Sequence, residues 1–207
     1  MESYDQIIKT ISLSMGAAWA SGINLYATIL VLGLLGATDN IVLPQGLEIL
    51  MDPMVMWAAG LMYFVEFFAD KVPGVDTGWD TLHTFVRIPA GVMIAAAAVG
   101  DVNPAVTLAA AILGGGLAAG SHLTKSGTRV LINASPEPVS NWTASVLEDI
   151  AVIGGVWAAL QHPVLFLVCL VIFVAVIAWL LPKIWRAIKT FITKIKQFFS
   201  KKTEPES

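Results

Sequence analysis

Residues 163–181 contain no Asp, Glu, Lys or Arg, and that one stretch restricts the fold more than anything else in the chain. A helix of about 20 apolar residues is long enough to cross the hydrocarbon of a bilayer. Only structures that satisfy every backbone N–H and C=O internally persist there. Five more segments approach the same description: 7–36, 53–72, 81–100, 104–125 (continuing towards 133) and 143–160. Pro and Gly mark the breaks, at Pro44, Pro53, Pro73-Gly74, Pro104, Pro136, Pro138, Pro163 and Pro182, where helices are expected to start or stop. Charged residues make up 13% of the chain, against roughly 25% in a soluble domain. The sequence predicts an all-α polytopic membrane protein of about six transmembrane helices, forming one bundle over residues 1–182. Ser12, Ser14, Ser21, Gly22 and Asn24 interrupt the first segment, which predicts a kinked or broken helix whose spanning part lies nearer 16–36. Met1–Lys9 carries Glu2 and Asp5 and does not read as a cleavable signal. The single cysteine, Cys169, excludes an internal disulfide.

Orientation follows from where Lys and Arg fall. Outside the C-terminal tail they are Lys9, Lys71, Arg87, Lys125 and Arg129. With six spans all of them lie on the side of the two termini, which predicts a multi-pass protein with both termini cytoplasmic. The connections at 37–52 and 101–103 hold only acidic charges (Asp39, Glu48, Asp52 and Asp101), and 161–162 holds none.

The tail reads differently. Ile184, Ile188, Phe191, Ile192, Ile195, Phe198 and Phe199 recur at helical spacing, while Lys183, Arg186, Lys189, Lys194 and Lys196 fill much of the opposite face. That pattern predicts an amphipathic helix on anionic lipid over 183–202, followed by a short disordered end; a helix packing on a partner protein would carry the same pattern. The expected partners are therefore the bilayer and its anionic lipids, with no nucleic acid. Small-residue runs at Gly114-Gly115-Gly116, Ala118-Ala119-Gly120, Ala95–Ala98 and Gly154-Gly155 permit close helix packing in lipid and leave room for a homo-oligomer contact.

Charged side chains near hydrocarbon are costly and usually face a bundle interior or a cavity. Four stretches place them at one-face helical spacing: Tyr63, Glu66 and Asp70; Asp80, His83 and Arg87; His122, Lys125, Arg129 and Asn133; and Ser145 with Glu148 and Asp149. By topology all four stripes reach the same leaflet. The candidate ion- or solute-binding residues are Glu66, Asp70, Asp80, His83, Arg87, His122, Arg129, Glu148 and Asp149. The carboxylates suit a cation or a proton relay, the histidines titrate near neutral pH, and Lys125 with Arg129 suits an anion or lipid phosphate. The same stripes would serve equally as an internal salt-bridge network locking two hairpins together. No nucleophile–base pair is evident, so no catalytic residue and no cofactor are expected. Asp80 and His83 have metal-ligand spacing, but such pairs are common on helix surfaces.

Two further patterns are weaker. A shift of 63 residues aligns Pro73 with Pro136, Trp79 with Trp142 and Gly91 with Gly154, which hints at a parallel repeat of 53–100 and 104–161. The run from Asn103 to Thr107 (NPAVT) copies an aquaporin-type signature, but that mechanism needs a second copy and the chain has none; Asn103 and Pro104 also simply suit a helix start.

Longer strings carry a resemblance: SGINLYAT from Ser21, EFFADKVPGVD from Glu66, WDTLHTFVRIPAG from Trp79, SPEPVSN from Ser135, and Glu148-Asp149. Over about residues 10–160 the chain resembles the bacterial membrane-protein family catalogued as domain of unknown function 4126. The resemblance implies a polytopic membrane protein of bacterial type, hence of a bacterial inner membrane, and brings no substrate or mechanism. Three readings follow: a small transporter or channel for a cation, proton or small polar solute; a non-catalytic scaffold that organises lipids or partners; and a metal-dependent membrane enzyme acting on lipid headgroups.

Overall fold

Helices form wherever the apolar segments run, and their ends fall at identifiable caps. A computed structural model describes residues 2–72, 74–100, 102–133 and 138–201. The elements are α1 (Glu2–Ile23), α2 (Leu25–Ala37), a 3-10 helix (Gln45–Met51), α3 (Pro53–Ala69), α4 (Val75–Val99), α5 (Pro104–Asn133), α6 (Pro138–Gln161) and α7 (Pro163–Lys201). Among the described residues there is no strand.

The first expected segment is a broken pair. Asn24 sits between α1 and α2 in extended backbone, and its side-chain oxygen accepts from the Ala27 amide, capping α2. Asp52 caps α3 in the same manner, accepting from Met54 N at 2.7 Å with Pro53 in the first position. Asn103 accepts from Ala105 N at 2.9 Å at the start of α5, so its role here is that of a cap. The turn before α4 passes through Gly74 at φ +86, a left-handed conformation that glycine adopts without a side-chain clash.

Among the described residues four helices are long and apolar enough to cross a membrane: α4, α5, 139–161 in α6 and 163–180 in α7. The 3-10 helix and α3 form a fifth span if counted together, bent by 67°. The segment at 7–36 differs from an ordinary span because serines and glycines dilute α1 and the break leaves α2 with only 13 residues. The expected count of six thus becomes four or five by length and composition. The helices fit a multi-pass membrane protein.

α1 takes the centre. It packs against α2, α4, α5, α6 and α7, and Ala17, Ala18, Ala20 and Ser21 are buried along it. Its hydroxyls bond to neighbouring backbones: Ser12 donates to Ala159 O at 2.8 Å and Ser14 to Ala95 O at 2.9 Å, while Ser121 of α5 donates to Trp19 O at 2.8 Å. Such bonds hold helices together where lipid offers no hydrophobic contrast. The longest helix–helix seam joins α4 to α5. There Gly91 faces Ala118 and Gly114 faces Ala95 so closely that a methyl on either glycine would overlap the alanine. This seam brings the two helices richest in buried charge into register.

α7 runs unbroken through Pro182, so the division expected at 182/183 is not an interruption of the helix. Its 39 residues extend about 58 Å at ~1.5 Å per residue, well beyond the apolar part. Lys183, Arg186 and Lys189 are exposed on this extension. The side chains of Lys194 and Lys196, and residues 202–207, lie outside the described residues.

Candidate functional site

The four charged stripes do converge. α3 brings Glu66 and its C-cap Asp70, α4 brings Asp80 and Arg87, α5 brings His122, Lys125 and Arg129, and α6 brings Asn141, Ser145 and Glu148. Glu66, Asp80, Arg87, His122 and Arg129 are 0% exposed. Helical spacing on each element aims its charges inward, and the α4–α5 seam presses two of the stripes together.

Arg87 sits at one end of the network. Its Nη2 donates to Glu66 Oε1 at 2.5 Å, and its Nη1 to Asp80 Oδ1 at 3.0 Å, with His122 Nδ1 3.2 Å away. Lys125 is the hub. Its ammonium donates to Asp70 at 2.7 Å and Glu66 at 3.2 Å, and lies 3.7 Å from both Asp80 and Glu148. Arg129 closes the other end as a fork on Glu148, with Nη2 to Oε2 at 2.6 Å and Nε to Oε1 at 3.2 Å. Its Nη1 donates to the carbonyls of Asp70 and Asn141, at 2.9 and 3.1 Å. Bidentate arginine–carboxylate geometry of this kind is among the stronger polar contacts in proteins.

Four satellites border the network. Asn133 donates to both oxygens of Asp76, at 2.8 and 2.9 Å, and Asn141 donates to Asn133. Asp149 accepts from Asn24 at 3.1 Å and from Tyr63 at 3.2 Å, linking the α1–α2 break to α3 and α6. His83 bonds through Nε2 to Tyr26 and through Nδ1 to Trp79 O. Lys71, in the turn after α3, donates to Phe67 O at 2.9 Å and Ser145 Oγ at 3.2 Å. Burial pushes its ammonium below the ordinary lysine range, and nearby Asp149 and Asp70 only partly offset this.

Of the residues expected from the sequence, Glu66, Asp70, Asp80, Arg87, Arg129 and Glu148 form one network, and His122 touches it through Arg87. His83 and Asp149 stand beside it with partners of their own. Lys125, expected to hold an anion, is instead enclosed by four carboxylates. The sequence reading did not single out Asp76, Asn141, Asn24, Tyr26 or Lys71 as site residues. The available signal was spacing: Asp76 extends the Asp80, His83 and Arg87 stripe by one helical turn.

Charge and hydrogen bonding are both incomplete in the network. Four acids (Glu66, Asp70, Asp80, Glu148) share three bases (Arg87, Lys125, Arg129). Glu66 Oε2, Asp70 Oδ1, Asp80 Oδ2 and, on the basic side, Arg87 Nε are buried without a hydrogen-bond partner among the described residues. In addition, no group of three or more His, Cys, Asp or Glu among the described residues is placed to hold a metal ion.

Apolar helices around a buried polar cluster define a multi-pass helical membrane protein. The family is also shown: the model described as a domain of unknown function (DUF4126) matches residues 11–183, and the chain belongs to that family. The match takes in every member of the charge network. No curated protein and no solved structure matches the chain.

Proposed function

We propose that this protein is a small membrane transporter or channel whose buried cluster handles a proton or a small cation. The observation that supports it is the surplus of acid: four carboxylates against three bases, with three carboxylate oxygens buried and unpaired. An uncompensated charge in a low-dielectric interior is too costly to persist, so the surplus favours a bound positive charge, either a proton or a cation. Exchange of that charge between the two faces of the membrane is transport. The exposed Lys183, Arg186 and Lys189 suit a cytoplasmic surface of anionic lipid in a bacterial inner membrane.

Proton and cation flux into liposomes containing the purified protein tests the reading. Wild type is expected to conduct, and folded Glu66→Gln and Asp70→Asn variants to lose most of the flux. Unchanged flux in those variants removes the residues from the pathway. A second reading, an internal strut that stiffens a scaffold, is favoured by the burial and close pairing of Arg87, Lys125 and Arg129. A wild-type protein that is folded and conducts nothing would favour that reading.

A further inference from the structure

The flank of the bundle carries a groove that reaches the charge network from the side. Its volume is about 310 Å³, and it lies where α5, α6 and α7 meet the end of α1. Ile23, Leu147, Ala151 and Phe173 give it apolar walls, and Lys125 and Glu148 line it as well. Leu147 is exposed and Phe173 is half-buried, so the groove stands among the apolar side chains that a bilayer would cover. The side chain of Glu148 is 17% exposed, whereas those of Glu66, Asp80, Arg87, Lys125 and Arg129 are at most 1% exposed. Glu148 is therefore the point at which the network opens.

The charge of the site selects the occupant. Lys125 is neutralised by four carboxylates within 3.7 Å and has little attraction left for an anion. Each oxygen of Glu148 accepts one hydrogen bond from Arg129; a carboxylate has about four lone-pair sites, so Glu148, which lines the groove, keeps acceptor capacity. Around the network, Glu66, Asp70, Asp76, Asp80, Glu148 and Asp149 outnumber Lys71, Arg87, Lys125 and Arg129. A cation is attracted to such a place and an anion is repelled.

We propose that this groove is a lateral binding site for an amphiphilic ammonium compound, with its apolar body against Leu147, Ala151 and Phe173 and its cationic head on Glu148. The site rests on the cation-handling reading above and narrows it: the substrate is a membrane-soluble amine that reaches the cluster from the hydrocarbon. Phe173 also edges Trp19, with ring centroids 5.7 Å apart, which fixes the back wall of the groove.

The test uses the full chain in lipid nanodiscs and titrates octylammonium chloride by calorimetry, with empty discs subtracted. Saturable binding is expected in wild type. Ala151→Phe fills the groove while leaving every charged side chain in place and is expected to weaken binding about tenfold or more. Glu148→Gln is expected to weaken it as well. Octyl sulfate, of equal length and opposite charge, is expected not to bind. Binding that survives Ala151→Phe unchanged, preferential binding of octyl sulfate, or no saturable signal would each overturn the proposal. Flux of small cations, measured in parallel on the same variants, separates the two readings: flux retained without octylammonium binding overturns only the groove, and binding retained without any flux overturns only transport.

Discussion

Replacing Arg87 with methionine is the sharpest perturbation of the network. The guanidinium contacts Glu66 at 2.5 Å and Asp80 at 3.0 Å, and all three side chains are 0% exposed. Methionine keeps the length and apolar volume of the stem but leaves both carboxylates facing a low-dielectric interior. Removing one partner of a buried ion pair costs about 3–5 kcal/mol. Lys125 remains 3.2 Å from Glu66 and 3.7 Å from Asp80 and compensates in part, which favours the lower end. A loss of about 3 kcal/mol corresponds to roughly a hundredfold in the folding equilibrium. Reversible unfolding in mixed detergent micelles, followed by circular dichroism, reads this quantity. The double variant Arg87→Met with Glu66→Gln removes one stranded charge and is expected to recover about 1–3 kcal/mol. If Arg87→Met falls within about 0.5 kcal/mol of wild type, or if the double variant shows no coupling, the ionic account of the cluster fails.

Other consequences follow from the fold. Gly114→Ala sets a methyl against Ala95 and is expected to destabilise the α4–α5 seam by about 1–3 kcal/mol, whereas Gly116→Ala, with nothing within 4 Å, is expected to be neutral or slightly stabilising in the same unfolding assay. Asn24→Ala removes the cap on α2, at a cost of about 1 kcal/mol, and breaks the bond to Asp149; hydrogen exchange at the Ala27 amide should quicken before the rest of α2. Lys71 is held below the ordinary lysine range by burial, so between that lowered value and the ordinary one the unfolded chain binds more protons than the folded one. Stability should therefore rise with pH through that alkaline window, and Lys71→Met should flatten the slope.

The helices and the charge stripes were legible because each rests on local periodicity. Glu66 and Asp70, or Lys125 and Arg129, must share a helix face whatever the tertiary fold, and a membrane leaves charged faces few places to go but inward. Pairing was harder to read. Nothing in sequence spacing says that Lys125 is enclosed by carboxylates, since Glu66 and Asp70 arrive from the end of α3, Asp80 from α4 and Glu148 from α6. Proline misled in one place: Pro182 reads as a boundary, yet α7 passes through it as α4 passes through Pro89. Membrane helices tolerate proline because neighbouring groups satisfy the freed carbonyl. The break at Asn24 was foreshadowed by its polar surroundings, but its position depends on Asp149, which lies far away in sequence and meets the Asn24 amide only in the folded bundle.

The proposed neutralisation of the network's one surplus acid by an exchangeable positive charge has a direct readout. Infrared difference spectroscopy of the protein in lipid, on titration with acid and then with alkali-metal chloride, measures this at the carboxyl groups themselves. Such exchange requires a carboxyl or carboxylate band that responds to pH or to the cation in wild type and is lost or altered in Glu66→Gln or Asp70→Asn. A spectrum in which no band assignable to these residues responds to either titration would mean that the charges are fixed internal struts, and would contradict it.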